Sequence, residues 1–399
     1  MKKYWIVSQL FYPDETSTGY VMTKIAETIL KIGEVNVICG SANYHSAILS
    51  AVNKLDDRIK ISRVNVPSWN KNNLLLRLMS FILLTFGVAW KVLFNVKRND
   101  TLILVTNPPT LILLLGVLKR IKGFKMFVIL QDVFPENLAV SGLISNKSFI
   151  YKLLLKLFNS SYNQANHLIA CGIDMKDVFT KKVKKSMPIT VITNWSDHLE
   201  IFEQPNFDKD QYYNLDLSNK ILIQFAGNIG RLQGLDKFLN IYHQINNKNL
   251  FLIIVGDGAF KEKLLHMQKE KNIQNILFLS SKPRTEQNNF LNACDIGLVT
   301  LSPGMYGLGV PSKVYNIFSA SKPVFYIGDY KSEIFEYIQK HNIGWAFNWD
   351  QEEEISKFLA KLNTSNFDDF RKKGGLARKL VEDQFTKEYI LEKYKKTLA

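Results

Sequence analysis

The chain has 399 residues, 46% of them hydrophobic, which suits two domains of about 200 residues each with sizeable buried cores. Its three cysteines, Cys39, Cys171 and Cys294, stand far apart with no C-x-x-C pair, which argues against a disulfide framework or a cysteine metal site and favours a reducing cytoplasm. The net charge of +15 is uneven: residues 1–200 hold 25 Lys and Arg against 13 Asp and Glu, and the second half adds only +3.

The lysines at positions 2 and 3 run into Tyr4-Trp5-Ile6-Val7, which Ser8 and Gln9 cut short; a first strand is expected there, not a secretory signal. After a loop over 11–19 the pattern predicts a helix over 20–31. Val35-Asn36-Val37-Ile38, a run over 59–64 and Leu102-Ile103-Leu104-Val105 read as further strands. Between them lies a strongly apolar segment, 74–94, flanked by Lys71, Arg77, Lys91, Lys97 and Arg98. Only the 13 residues between Arg77 and Lys91 are free of charge. A spanning helix needs roughly 20 apolar residues, so this segment either lies in a membrane interface or packs inside the domain. The basic half has no nucleic-acid recognition motif, and its cations alternate with apolar runs, so an anionic membrane surface is the expected partner and nucleic acid is not.

Asn107-Pro108-Pro109 breaks the chain before an apolar helix over 110–119, and strands over 126–130, 167–170 and 190–192 complete a first α/β unit. The polar, turn-rich stretch 198–219 reads as a linker. It contains Asp208-Lys209-Asp210, a literal D-x-D, but away from any strand end, so no metal role is assigned. A second α/β unit follows, with Ile221-Leu222-Ile223-Gln224-Phe225 leading into Gly227-Asn228-Ile229-Gly230, and Phe251-Leu252-Ile253-Ile254-Val255 into Gly256-Asp257-Gly258. Strands over 276–279, 296–299 and 324–327 succeed them, and amphipathic helices end the chain.

Ligands of doubly wound sheets sit beyond the carboxyl ends of strands, so these junctions carry the functional reading. Gly307-Leu308-Gly309-Val310-Pro311-Ser312-Lys313 has the marks of a pyrophosphate cradle: two glycines admit close backbone approach, a helix start offers N–H groups, and Lys313 supplies charge. Thr18 and Gly19 open a helix just after the first strand. Tyr44 and His45 follow the second, while Asp132 and Glu136 follow the strand over 126–130. Ser281 and Lys282 follow 276–279.

The order of these motifs resembles that of the family 4 glycosyltransferases. Within it, Asn107-Pro108-Pro109, Asp132-Val133-Phe134-Pro135-Glu136, Asn194-Trp195, Gly227-Asn228-Ile229-Gly230 and Pro311-Ser312-Lys313 are similar to the N-acetyl-L-fucosamine transferase subgroup of bacterial surface polysaccharide assembly. The resemblance implies a GT-B fold, two Rossmann-like domains facing across a cleft. An acceptor-binding, membrane-associated domain over 1–197 and a nucleotide-sugar domain over 220–375 are expected, with a final helix, 376–399, packing back on the first. It implies transfer from a nucleotide-sugar, UDP-linked, to a lipid-linked saccharide, with retention, at the inner face of the cell membrane. No cofactor or metal is expected, because amides, helix dipoles and cations stabilise the leaving diphosphate.

Carried onto this chain, the resemblance makes Asp132, Lys313 and Arg231 the catalytic candidates. The donor set is Gly19, Gly227, Asn228, Gly230, Arg231, Ser281, Lys282, Gly307, Leu308, Gly309, Val310, Ser312, Lys313 and Asn316; the acceptor set is Thr18, Tyr44, His45, Asp132 and Glu136. Two glutamates common in the wider family are replaced by Leu308 and Asn316, and its diphosphate-gripping Arg and Lys by Asn228 and Gln233. Those losses keep two other readings open: an impaired GT-B subunit supporting a partner enzyme, and a UDP-sugar 2-epimerase.

Overall fold

The computed structural model describes residues 2–14, 16–41, 55–67, 69 and 74–399. The chain divides into two compact units, the first comprising Met1–Thr193, Gly307–Val310 and Leu391–Ala399, the second Asn194–Tyr306 and Pro311–Ile390.

Unit one is built on a seven-stranded sheet in the order β3-β2-β1-β4-β5-β6-β7, every neighbouring pair parallel. The strands are β1 (Lys3–Ser8), β2 (Glu34–Gly40), β3 (Lys60–Val64), β4 (Thr101–Val105), β5 (Lys125–Leu130), β6 (His167–Ala170) and β7 (Ile189–Val191). Parallel strands covered on both faces need continuous apolar runs, which is why β4 is buried at all its positions. The chain moves from β1 outward to β3, then returns to β4 and travels the other way. Right-handed crossovers therefore set the helix Ser17–Ile29 on one face, and the helices Leu74–Asn95, Thr110–Lys122 and Phe149–Tyr162 on the other. Tyr4 closes the unit by donating to the Leu398 carbonyl at 3.1 Å.

Two local differences from the sequence reading have physical causes. The first helix starts at Ser17, not near 20, because Thr16 caps it and accepts from the Gly19 N–H. The helix expected to stop at 119 continues to Lys122, where Gly123 in the left-handed region at φ 73° ends it. The apolar segment expected over 74–94 forms one unbroken helix, Leu74–Asn95, with Arg77 and Lys91 inside it. By length and composition alone its stretch Leu75–Asn95 could cross a membrane. One stripe, however, is packed into the unit: Val88 and Val92 are fully buried and Gly87 lies against Val64 of β3.

Unit two carries a six-stranded sheet in the order β10-β9-β8-β11-β12-β13, again parallel throughout. Its strands are β8 (Ile221–Ala226), β9 (Leu250–Val255), β10 (Ile276–Leu279), β11 (Ile296–Thr300), β12 (Val324–Ile327) and β13 (Gly344–Phe347). The edge strand β13 was not anticipated, being short and only partly apolar. Two apolar layers enclose the sheet, one around Phe225, Phe238, Leu252 and Phe325, the other around Val299, Phe318, Tyr326 and Phe385. The strand order reverses direction between β8 and β11, which marks the ligand-binding end of such a sheet.

Candidate active site

In unit two, β8 and β9 are each followed by a glycine where two chain segments nearly touch. Gly227 has φ +142° and donates its N–H to Val255 at 2.9 Å; Gly256 has φ +150°, and a Cβ on it would lie 2.0 Å from the Gly227 carbonyl. Gly256 admits no side chain without moving the Gly227 backbone, whereas at Gly227 it is the positive φ and the Lys313 side chain that stand against one. Lys313 opens the helix Lys313–Ser319 that follows β11. Its ammonium lies 3.5 Å from the centroid of the Phe225 ring, and a Cβ on Gly227 would sit 3.1 Å from it. The Nζ is buried and finds no hydrogen-bond partner among the described residues. Burial lowers its pKa to about 7. A basic group with a pKa near neutrality is thus held beside a bare backbone turn at the switch point of the sheet.

The other donor candidates of unit two are placed as follows. Asn228 is exposed, and Gly230 would bring a Cβ to 3.0 Å from the Asn228 amide. Arg231 stands on the turn Arg231–Gln233, exposed, with its guanidinium 5.5 Å from the Phe260 ring and its carbonyl accepting from Ser302 at 3.1 Å. Ser281 donates its N–H and its hydroxyl to Asp257, at 2.8 and 2.7 Å. Hydrogen bonds from Lys261 and Ser281 hold the Asp257 carboxyl at about 2. Lys282 turns to Glu286 at 3.4 Å. Ser312 makes no side-chain capping bond, and Asn316 accepts from the Ser196 hydroxyl at 2.9 Å.

Unit one gathers a second group around Asp132, just past the end of β5. Thr106, just past β4, accepts from the N–H groups of Gln131 and Asp132 at 3.0 and 3.3 Å. Asp132 forms an antiparallel bridge with Gly309, while the Val133 N–H donates to the Leu308 carbonyl at 3.2 Å. Gly307, at φ +65°, packs where a Cβ would meet the Asp174 carbonyl at 2.5 Å. The stretch read as one donor cradle is therefore divided: Gly307, Leu308, Gly309 and Val310 belong to unit one, Ser312, Lys313 and Asn316 to unit two. Leu308 is buried, and it is its carbonyl that makes the contacts.

Desolvation raises the Asp132 carboxyl to about 6, against the opposing charge of Arg77 and a 3.2 Å hydrogen bond from Asn137. Glu136 pairs through Oε1 with the buried Lys182, whose pKa burial lowers; Glu136 Oε2 is buried with no partner among the described residues. Gly19 is buried with its N–H held by Thr16, and Thr18 is half-buried one residue before it. Tyr44 and His45 lie outside the described residues.

Four neighbours of these groups escaped the sequence reading: Asn137, Thr106, Phe225 and Asp257 as an anchor for Ser281. Asn137 directly follows the D-V-F-P-E run and was within reach; nothing in the sequence marks Phe225 as the seat of an ammonium. Asp208, of the D-x-D, caps the helix Lys209–Tyr213 by accepting from Gln211 at 2.9 Å, and Lys209 pairs with Asp295 at 2.7 Å. Among the described residues, no three His, Cys, Asp or Glu side chains cluster as a metal would require.

Two all-parallel α/β units, each with a reversal of strand order and loops gathered at the carboxyl ends, define a GT-B fold. HepE of Anabaena, crystallised with UDP and glucose, superposes with a TM-score of 0.75 at 14% identity, over 100% of this chain and 99% of that one. Residues 208–375 match the family described as glycosyl transferases group 1. The "Probable glycosyltransferase WbjE" of Pseudomonas aeruginosa is 30% identical over 395 residues, 99% of this chain and 97% of that protein. The "Putative colanic acid biosynthesis glycosyl transferase WcaI" of Escherichia coli (strain K12) is 24% identical over 217 residues, 53% of each chain. The chain belongs to the group 1 glycosyl transferases.

Proposed function

We propose that this glycosyltransferase moves a sugar from a UDP-sugar to a lipid-linked saccharide in the assembly of a capsule, O-antigen or exopolysaccharide, with retention of configuration. The observation that carries this reading is the buried Lys313 Nζ beside Gly227, which has the Phe225 ring against it but no hydrogen-bond partner among the described residues. Such a group costs about 1–3 kcal/mol to maintain without a partner, and an anion seated on the turn would offset that cost. HepE's complex with UDP and glucose supports UDP as the donor nucleotide. The name of WcaI supports a polysaccharide product. Similarity to the N-acetyl-L-fucosamine transferase subgroup favours an N-acetylated deoxysugar as the group transferred.

In this mechanism the bond between the anomeric carbon and the diphosphate oxygen breaks as charge builds on that oxygen. Lys313, seated beside the Gly227 turn, stabilises the charge, with Arg231 as a second, more exposed cation, so no divalent ion is required. The acceptor hydroxyl attacks from the face the diphosphate leaves, and its proton passes to a departing phosphate oxygen. Asp132, ionised at neutral pH, orients that hydroxyl by accepting its hydrogen bond. Asn316 serves the ribose, and Glu136 and Thr18 the acceptor saccharide.

The test is incubation of the purified protein with a panel of UDP-sugars and a polyprenyl-diphosphate-linked saccharide. Release of UDP coupled to a heavier lipid-linked product is expected. Appearance of an epimerised nucleotide-sugar instead, or UDP release only after a second protein is added, would overturn the reading.

A further inference from the structure

We propose that the helices Leu74–Asn95, Thr110–Lys122 and Phe149–Tyr162 together form a face of unit one that docks on an anionic phospholipid bilayer. This deepens the membrane-side reading above by enlarging it from one helix to three, and it rests on the surface itself, independent of which sugar is moved.

Strand order and crossover hand put the three helices on the same side of the sheet. They are laid side by side: Leu74–Asn95 packs on Thr110–Lys122, which packs on Phe149–Tyr162, with Gly116 close enough to Ser161 that a Cβ would lie 3.3 Å from its Cα. Each turns an apolar stripe away from the sheet at helical spacing. Leu75, Met79, Phe86, Trp90 and Phe94 are 72%, 50%, 62%, 67% and 65% exposed. Val117 and Ile121 continue the surface on the second helix, and Phe149, Ile150, Leu153 and Leu157 on the third, with Phe149 at 79%. Between the first two helices runs an apolar groove of about 290 Å³, lined by Ile82, Thr85, Phe86, Thr110, Leu113 and Leu114. The hydroxyls of Thr85 and Thr110 satisfy each other at 2.7 Å, so an acyl chain entering the groove strands neither hydroxyl.

Charge selects the occupant. The three helices carry Arg77, Lys91, Lys119, Arg120, Lys122, Lys152 and Lys156, and not one Asp or Glu. Arg77, Arg120, Lys152 and Lys156 are exposed. A second copy of this chain meeting the same face about a two-fold axis would set like charges against each other. A bilayer with anionic headgroups offers an apolar layer beneath a negative surface, which matches apolar stripes interleaved with cations. Because Val88 and Val92 are committed to the interior of the unit, the first helix lies in the interface and does not cross it.

The experiment uses the full chain and flotation with vesicles of 30% phosphatidylglycerol in phosphatidylcholine, against pure phosphatidylcholine. Wild type is expected to float with the anionic vesicles. Phe149→Glu with Leu153→Glu, both at exposed positions, should reduce that partition at least tenfold with an unchanged melting temperature. Lys152→Glu with Lys156→Glu should abolish the preference for phosphatidylglycerol. Equal binding of wild type to both vesicle types, or wild-type partition by the Phe149/Leu153 variant, would overturn the proposal. So would a wild-type dimer that fails to float and that the same variant dissociates. UDP binding measured on the same samples reports on the transferase reading separately, since flotation needs no donor.

Discussion

The side-chain amide of Asn137 donates one hydrogen to Asp132 Oδ1 at 3.2 Å and the other to the Leu308 carbonyl at 3.3 Å. A single planar group thus ties the candidate acceptor-orienting carboxylate to a loop 171 residues further along the chain. Asn137 lowers the pKa that burial raises, so it keeps Asp132 ionised nearer neutrality.

Sugar transfer should therefore lose activity on the acid side with a midpoint near pH 6, where the Asp132 carboxyl takes up its proton. Asn137→Ala should move that limb upward by roughly 0.5–1 pH unit, and Asp132→Asn should lower turnover by about 100-fold. Stability follows the same group. The folded chain binds the extra proton between the ordinary value of 3.8 and about 6, so stability falls as pH rises through that window. Asp132→Asn should flatten this fall. Initial rates and melting temperatures from pH 4 to 8 check both; an acid limb that Asn137→Ala leaves in place would separate Asn137 from the carboxylate.

Lys313 works with the opposite sign. Its pKa is lowered from 10.5 to about 7, so the unfolded chain holds more protons between those values and stability should rise with pH through that range. Lys313→Met, which removes the buried ammonium, should raise stability at pH 7 by about 1–2 kcal/mol, roughly 2–6 °C in melting temperature, while cutting turnover at least tenfold. A variant that melts higher and keeps full activity would remove Lys313 from the site.

If the diphosphate is the missing partner of this ammonium, binding UDP at pH 8 should draw a proton from solvent. Titration calorimetry in buffers of different ionisation enthalpy should then give buffer-dependent heats for wild type and buffer-independent heats for Lys313→Met. Equal behaviour of the two would count against a direct contact.

Gly227→Ala places a methyl 3.1 Å from the Lys313 ammonium on backbone at φ +142°. It should destabilise by about 1–3 kcal/mol and weaken UDP binding at least tenfold, read by thermal melting and calorimetry. An unstrained, fully binding variant would show that the turn has room to spare and is not a close-fitting cradle.

Asn316→Glu should tighten UDP binding several-fold, because a carboxylate offers the ribose hydroxyls the charge-assisted pair that an amide lacks. The longer side chain would give up the bond from Ser196, so the gain should be largest in a Ser196→Ala background. Unchanged affinity in both would place the ribose elsewhere.

What the amino-acid order determined by itself was the alternation of apolar runs and helical patterns, because a parallel strand buried on both faces must be apolar from end to end. It also determined the positions of strand-to-loop junctions, because turns that bring backbone within touching distance demand glycine, as at Gly227 and Gly256. Tertiary structure decided the rest. That Gly309 bridges Asp132, that Leu308 offers a carbonyl and not a side chain, and that Lys313 rests on Phe225 are contacts between segments 88 to 177 residues apart, and no local pattern encodes them. The same holds for the apolar helix Leu74–Asn95: its composition permits burial or an interface equally, and only its packing against β3 and its neighbour shows which stripe the protein uses and which it leaves outside.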